Sequence, residues 1–258
     1  MRMWSLSRDC GRIARVDVYL ARHGSGEPVL LLLHGLGATG EVWDGLVASL
    51  ADRWRGTVLV PDLPGHGRSG PLPRYTFGAM TTALAAALPA GPVAVLGHSL
   101  GGVLGLTLAS GWFGVPVSAV CGLGIKVSWT PEELAKAAEL AARPAKTFGT
   151  REEAMTRALK VAGLHGLVPS LDSGVVAADG GWRLALDAGA FGVGAPDMAG
   201  LLAACRGSVV LASGESDPMS PPAGLVSLRP DSVSLNGLGH NAHVEDPGAL
   251  WPLVSRLG

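Results

Sequence analysis

The clearest chemical signal in the sequence is a serine flanked by glycines, in the motif Gly-His-Ser-Leu-Gly-Gly at residues 97–102. The pattern Gly-x-Ser-x-Gly alone is weak evidence in a chain that contains 38 glycines. The setting strengthens it, because the motif directly follows the apolar run 93–96 and directly precedes an apolar helical pattern. A serine on a sharp turn between a strand and a helix is exposed for nucleophilic attack, and the helix N–H groups favour developing negative charge. We therefore predict that Ser99 lies on a nucleophile elbow.

Three further segments follow predicted strands and carry groups that a catalytic serine would need: a backbone N–H, a carboxylate and an imidazole. A His-Gly-Leu-Gly motif at 34–37 is placed to offer a backbone N–H, residues 213–218 include two carboxylates, and residues 237–247 include two histidines. A serine hydroxyl is a poor nucleophile until an imidazole removes its proton, and a carboxylate holds that imidazole in the required tautomer. The order along the chain is serine, carboxylate, histidine. The residues alone leave two acids open, Asp217 and Glu215, and two bases open, His240 and His243.

The elements that would position these groups alternate between strands and helices. Apolar runs typical of parallel strands lie at 29–33, 57–60, 93–96, 115–123, 209–212 and 232–235. Helical patterns lie at 41–52, 77–88, 100–110 and 247–257. The segment 13–22 instead alternates apolar and polar residues, as a strand with one exposed face does. This order predicts an α/β fold with a mostly parallel, doubly wound sheet and an antiparallel N-terminal edge.

The regular alternation is interrupted between about residues 126 and 204. Thr130 and Thr150 each precede a glutamate by three residues, which is the pattern of a capping box at the start of a helix. Short helical patterns follow around 182–186 and 197–204. We therefore predict a helical cap inserted at about 126–204 into a single domain that spans 1–258.

The composition excludes several classes of protein. The charged residues nearly balance, with 20 basic and 21 acidic side chains, so the sequence offers no basic surface for nucleic acid. No apolar run is long enough to cross a membrane, and the N-terminus lacks the pattern of a signal peptide. Cys10, Cys121 and Cys205 show neither disulfide nor metal spacing. We expect a cytoplasmic protein, a monomer or homodimer, with a small-molecule substrate and no cofactor or metal.

These motifs, in this order, resemble the α/β-hydrolase superfamily, in the branch that has a His-Gly-x-Gly oxyanion loop and an inserted cap. The turn at 61–69 also resembles that branch, and the resemblance covers the core from about 16 to 247. It implies an α/β-hydrolase fold, with Ser99 as nucleophile, Asp217 as acid and His240 as base. It further implies that the backbone N–H groups of Leu36 and Leu100 form the oxyanion hole.

The resemblance also reduces the number of reaction types that the protein is expected to catalyse. Relatives that open epoxides or remove halides carry aspartate at the nucleophile position, and those that hydrolyse carbon–carbon bonds usually have tryptophan where Asn241 stands. The favoured function is a serine hydrolase that cleaves a mostly apolar carboxylic ester, thioester or lactone through an acyl-enzyme. The alternatives are a lyase or cyclising enzyme of secondary metabolism, a carbon–carbon bond hydrolase, and a ligand-binding protein of the same fold.

Bulky apolar residues in the insertion are candidates for a substrate pocket over Ser99. The candidates are Trp129, Phe148, Met155, Trp182 and Phe191. Together they favour an apolar acyl or alcohol group. Lys126 and Arg183 are placed in the same insertion and would suit a substrate carboxylate, although solvated surface is the commoner role of such residues.

Overall fold

A computed structural model of the protein describes residues 16–258. Cys10 and the start of the predicted strand at 13–15 lie outside these residues. The main sheet has seven strands, in the spatial order β1-β3-β2-β4-β5-β8-β9. Their bounds are β1 Leu20–His23, β2 Val29–Leu33, β3 Thr57–Pro61, β4 Val93–His98, β5 Val117–Leu123, β8 Ser208–Gly214 and β9 Val233–Leu235. All neighbours pair in parallel except β1 and β3, so the structure confirms the predicted α/β fold with an antiparallel N-terminal edge.

Helices cover both faces of this sheet because its central strands are apolar on both sides. Leu30 and Leu32 of β2 contribute to one buried cluster, and Leu31 and Leu33 contribute to the other. The first cluster includes residues of α1 Asp44–Leu50, α8 Ala242–Glu245 and α9 Trp251–Val254. The second includes residues of α2 Phe77–Ala87, α3 Leu100–Ala109, α6 Met198–Ala204 and α7 Pro222–Leu228. Each fully buried leucine contributes about 1.5–3 kcal/mol, so these clusters hold the sheet and helices together.

The insertion contains two helices and a hairpin. The helices are α4 Pro131–Ala141 and α5 Arg151–Val161, and the hairpin strands are β6 Val175–Ala178 and β7 Gly181–Leu184. Short 3₁₀ helices lie at Gly40–Trp43, Asp172–Gly174, Ala188–Val193 and Pro247–Leu250. The capping box at Thr130 is present, with Glu133 as its partner. At Thr150 only one half forms, because Glu153 accepts from the N–H of Gly149 instead.

Two parts of the predicted helical cap are different in the structure. The segment around 182–186 was predicted to be helical, but it contains strand β7, paired antiparallel with β6. The reason is the two-residue turn Asp179-Gly180, in which Gly180 has φ +79°, a conformation that suits a tight hairpin. The segment 198–204 is helical as predicted, but this helix, α6, packs against α3 beside the sheet. It therefore belongs to the layer of helices that flanks the core.

Candidate active site

Ser99 occupies a strained turn between β4 and α3. Its backbone has φ 50° and ψ −116°, and it is the one residue other than glycine with positive φ in the part of the chain that the structure describes. A side chain in this region costs of order 1–3 kcal/mol, and such strain persists only where the surrounding structure holds it. The turn points the side chain into a cavity at the carboxyl ends of the strands. This is the geometry that the sequence motif predicts for a nucleophile elbow.

The glycines of the motif permit a very close approach between elements. A Cβ atom on Gly97 would collide with the backbone of Gly101 in α3. A Cβ atom on Gly101 would collide with the carbonyl oxygen of Leu33, at the end of β2. A collision with backbone cannot be relieved by moving a side chain. These two positions therefore require glycine, and they fix the start of α3 against β4 and β2.

The backbone N–H groups of Leu36 and Leu100 belong to the two segments that adjoin Ser99. The N–H of Leu100 belongs to the first turn of α3, where helix N–H groups lack an intrahelical acceptor. Leu36 follows Gly35, whose added Cβ would lie 3.4 Å from Cβ of Ser99, so the loop at 34–37 passes directly beside the serine. Within residues 16–258, neither N–H donates to a protein acceptor. Both are placed to donate to a substrate oxygen at Ser99.

The predicted base and acid form a pair. Nδ1 of His240 lies 2.9 Å from Oδ2 of Asp217, and the other carboxylate oxygen accepts from the N–H groups of Met219 at 2.8 Å and Ser220 at 3.0 Å. Burial alone would raise the pKa of Asp217, but the hydrogen bonds and the nearby His240 outweigh it and lower the pKa. The ionised carboxylate holds the proton on Nδ1, which leaves Nε2 of His240 to accept a proton.

Ser99 and His240 line the same cavity. Among residues 16–258, the hydroxyl of Ser99 makes no hydrogen bond to the imidazole. Catalytic hydrogen bonds of this kind are often long without substrate and tighten in the complex. The arrangement is therefore suited to transfer of the serine proton once a substrate occupies the cavity.

The alternative acid and base do not form such a pair, although His243 lines the same cavity as Ser99 and His240. Glu215 accepts from the N–H of Gly237 at 2.8 Å, in the turn after β9. His243 is buried, and burial together with the nearby His240 and His34 lowers its pKa to about 3. In the described part of the chain, Nδ1 of His243 has no hydrogen-bond partner. The structure thus brings together Asp217 and His240, and it does not bring either alternative into such a pair.

Buried histidines make the fold sensitive to acid. Burial lowers the pKa of His34 to about 4 and the pKa of His66 to about 3, as it does for His243. The unfolded chain therefore binds protons below about pH 6.5 that the folded protein does not bind, and stability falls as pH decreases. Protonation of the unfolded chain at each of the three histidines is expected to lower the free energy of unfolding by about 2 kcal/mol between about pH 7.5 and 5.

Urea denaturation at about pH 7.5 and 5 measures this effect. We expect a clearly lower midpoint at pH 5, and a smaller difference between the two pH values for His66→Gln, which removes one titrating group. Equal midpoints at both pH values would show that these histidines are not held uncharged by burial.

The cavity at Ser99 has a volume of about 790 Å³ and is walled mainly by apolar side chains. Trp129 and Phe191 line it, as predicted. Phe148, Met155 and Trp182 do not, and this part of the prediction is wrong. All three pack instead with the buried cluster that includes Ala154, Ala158 and Leu159 of α5.

These three residues are absent from the cavity wall because the helix and strand that carry them turn their side chains toward the buried cluster. Met155 lies on the inner face of α5 with Ala158 and Leu159, at the spacing that buries one side of a helix. Phe148 and Trp182 exchange two backbone hydrogen bonds of 2.7 and 2.9 Å, which extend the hairpin sheet by one more pairing. The sequence shows that these residues are hydrophobic, but the direction in which their side chains point depends on pairing between distant segments.

The wall of the cavity includes residues that the sequence reasoning missed. The missed apolar residues are Leu36, Ala38, Phe77, Leu100, Val103, Leu134, Ala137, Ala138, Leu140, Val161, Ala162, Val193, Ala195 and Met219, of which Leu36 and Leu100 were predicted only for their backbone. The helix α4 contributes several of them and has no buried residue of its own. Its cavity-lining residues Leu134, Ala137 and Ala138 are spaced along one face, a signal that was present in the sequence.

Four charged residues line the cavity: Lys126, Glu133, Lys136 and Lys160. Lys126 lines it and forms an ion pair with Glu133 of α4, which joins the loop after β5 to the insertion. Arg183 lies at a different surface depression, away from Ser99.

The described residues contain no group of three or more His, Cys, Asp or Glu side chains that would hold a metal ion. In residues 16–258 no helix has both the length and the hydrophobicity to span a membrane.

Comparison with known proteins places the chain in a family. A model of the alpha/beta hydrolase family matches residues 30–252. The chain is 42% identical over 118 residues to the magnesium-chelatase 30 kDa subunit of Rhodobacter capsulatus, a match that covers 43% of this chain and 40% of that protein. It is 38% identical over 99 residues to the lipase LipV of Mycobacterium tuberculosis, which covers 37% of each.

The chain's matches thus span about two fifths of the length of these two relatives. The solved structure of E-2-(acetamidomethylene)succinate hydrolase is similar over 95% of this chain and 96% of that chain, with a TM-score of 0.76 and 24% identity, which supports the fold. Since the family match covers most of the sequence, the chain belongs to the alpha/beta hydrolase family.

Proposed function

We propose that the protein is a serine hydrolase that cleaves carboxylic esters with a mostly apolar acyl or alcohol group, through an acyl-enzyme. The observation that carries the proposal is the shared cavity of Ser99 and His240, in which the imidazole is held by the ionised Asp217. The partial similarity to a protein named as a lipase supports ester bonds as the target. Thioesters and lactones react by the same chemistry and belong to the proposed range.

The geometry performs the reaction in two stages. Oγ of Ser99 attacks the substrate carbonyl carbon while Nε2 of His240 takes the hydroxyl proton. The carbonyl oxygen becomes an oxyanion that accepts hydrogen bonds from the N–H groups of Leu36 and Leu100. The C–O bond to the alcohol then breaks, and His240 returns its proton to the leaving alkoxide. Water, deprotonated by the same imidazole, attacks the acyl-enzyme and releases the carboxylic acid and Ser99.

The apolar wall of the cavity supports an apolar substrate group. Phe191 and Trp129 lie on the insertion side of the cavity, and Leu134 of α4 faces the same space. Leu134 is 37% exposed, and none of the eleven residues of α4 is buried. An acyl or alkyl chain in the cavity would remove this apolar surface from water, at about 25 cal/mol for each Å² buried.

Pocket residues are expected to control chain-length preference. Trp129→Ala and Phe191→Ala should each lower kcat/KM for p-nitrophenyl octanoate about 10-fold, because loss of roughly 1–2 kcal/mol of apolar contact removes that much binding. Both should leave p-nitrophenyl acetate within about twofold of wild type, because a short acyl group does not reach those side chains. Trp182→Ala is the matched control, because this tryptophan packs against the buried cluster and does not line the cavity. An equal change of chain-length preference in Trp182→Ala would contradict the assignment of the pocket.

The proposed function is tested by a panel of p-nitrophenyl esters together with a fluorophosphonate probe. We expect hydrolysis of several esters, and we expect one equivalent of probe to abolish it, because the probe forms a covalent bond only with an activated serine. Untreated protein and protein mixed with hydrolysed probe are the controls. A folded protein that cleaves no ester in the panel and does not react with the probe would contradict the proposal and favour a ligand-binding role.

A further inference from the structure

His98, the residue before the nucleophile, is hydrogen-bonded to the loop that carries the base. Its Nε2 lies 2.8 Å from the backbone carbonyl oxygen of His240. A carbonyl oxygen can only accept, so Nε2 carries the proton and donates. The bond joins two residues that are 142 positions apart in the chain. It therefore ties the nucleophile elbow directly to the backbone of the base.

The ring of His98 has no room to move. Its centroid lies 4.7 Å from that of His240 and 4.3 Å from that of His243. On one side, a Cβ added to Gly35 would lie 2.9 Å from Nδ1 of His98. On another side, a Cβ added to Gly124, which has φ +60°, would lie 3.3 Å from Cδ2. Such close packing fixes the direction in which Nε2 donates.

Burial favours the uncharged form of the His98 ring. Burial lowers its pKa well below the usual value, and the nearby His243 and His240 lower it further. A neutral imidazole carries a single N–H, and the carbonyl oxygen fixes that hydrogen on Nε2. In this uncharged form, His98 donates one hydrogen bond, from Nε2 to the His240 carbonyl oxygen.

We propose that His98 is a positioning residue for the reaction, which holds the backbone of His240 so that the imidazole stays in line with Ser99. The inference rests on the proposed function. Asp217 fixes the tautomer and rotation of the His240 ring, whereas His98 fixes the backbone from which that ring extends. The two constraints act on different atoms. Loss of the hydrogen bond from His98 displaces the imidazole of His240 without changing its tautomer.

The variants His98→Leu and His98→Gln separate the hydrogen bond from the packing. Leucine fills much of the space but removes the donor, whereas the glutamine amide keeps a donor at similar reach. We expect His98→Leu to lower kcat about 10- to 100-fold with KM nearly unchanged, since a misplacement of about 1 Å costs up to about 100-fold. We expect His98→Gln to recover most of this loss. His66→Gln is the matched control, because His66 is also buried and bonded to a carbonyl, that of Pro64.

The decisive readouts are kcat, the rate of fluorophosphonate labelling and the proton NMR signal of Nδ1–H of His240. In His98→Leu, we expect labelling to slow by the same factor as kcat, and the signal to shift while the protein remains folded. The NMR signal reports the position of His240 even if no ester is cleaved, so failure of this inference is distinct from failure of the proposed function. The inference is overturned if His98→Leu folds with kcat and signal unchanged, or if His98→Gln loses as much activity as His98→Leu.

Discussion

Replacing Ser99 with alanine is expected to lower kcat for a p-nitrophenyl ester by about 10⁶-fold, as loss of the nucleophile does in well-studied serine hydrolases. The alanine variant keeps the proposed oxyanion donors at Leu36 and Leu100 but cannot form an acyl-enzyme. Residual turnover of about 10³- to 10⁴-fold over water is expected from those donors and from substrate binding. The measurement is steady-state hydrolysis, and the variant must be purified until the residual rate no longer falls, so that a contaminating esterase is excluded.

Ser110→Ala is the matched control for this variant. Ser110 caps the opposite end of α3, where its hydroxyl donates to the carbonyl oxygen of Thr107. The control loses a buried hydrogen bond, so its stability should fall by about 1 kcal/mol while its kcat stays close to wild type. If Ser99→Ala remained as active as Ser110→Ala, Ser99 would not be the nucleophile.

Asp217→Asn is expected to lower kcat by about 10⁴-fold at neutral pH with a smaller change in KM. The carboxylate at 217 accepts the Nδ1–H of His240, whereas an asparagine amide would donate to Nδ1. The proton would then sit on Nε2, so the imidazole could not accept the proton of Ser99. The measurement is kcat and KM as a function of pH, with unfolding monitored in parallel because the carboxylate also accepts from two backbone N–H groups.

Glu215→Gln is the matched control, because it makes the same chemical change two residues away. The Glu215 carboxylate accepts from the N–H of Gly237, and a glutamine side-chain oxygen accepts the same bond. We expect kcat within about twofold of wild type, since a neutral acceptor at that turn satisfies the same N–H. Reversal of the two results, with Glu215→Gln inactive and Asp217→Asn active, would assign the acid to Glu215.

Local sequence patterns predicted the parts of the site that short segments determine. The nucleophile elbow follows from an apolar strand, a serine and the glycines at 97 and 101, all within a few residues, and the structure shows why those glycines are needed. The apolar runs also predicted the central strands, because parallel strands buried on both faces lack polar residues. The sequence pattern also placed β1 as an antiparallel edge strand.

The insertion was predicted less well because its side chains face directions that distant contacts decide. Met155 and Trp182 are as apolar as Trp129, but they face the buried cluster and not the cavity. The hairpin had a local signal, Asp179-Gly180, which the helical interpretation of 182–186 overlooked. The bond between His98 and the His240 carbonyl had no signal in the sequence, because it joins residues that only the fold brings together.

The central claim is that Ser99 forms a covalent acyl-enzyme, and rapid acid quenching followed by peptide mass spectrometry tests it most directly. The protein is mixed with p-nitrophenyl octanoate, quenched during the first turnover and digested. We predict that the peptide containing Ser99 gains the mass of one octanoyl group, and that this gain is absent from Ser99→Ala. Release of p-nitrophenol at the wild-type rate, with the Ser99 peptide unmodified at every quench time, would contradict the account.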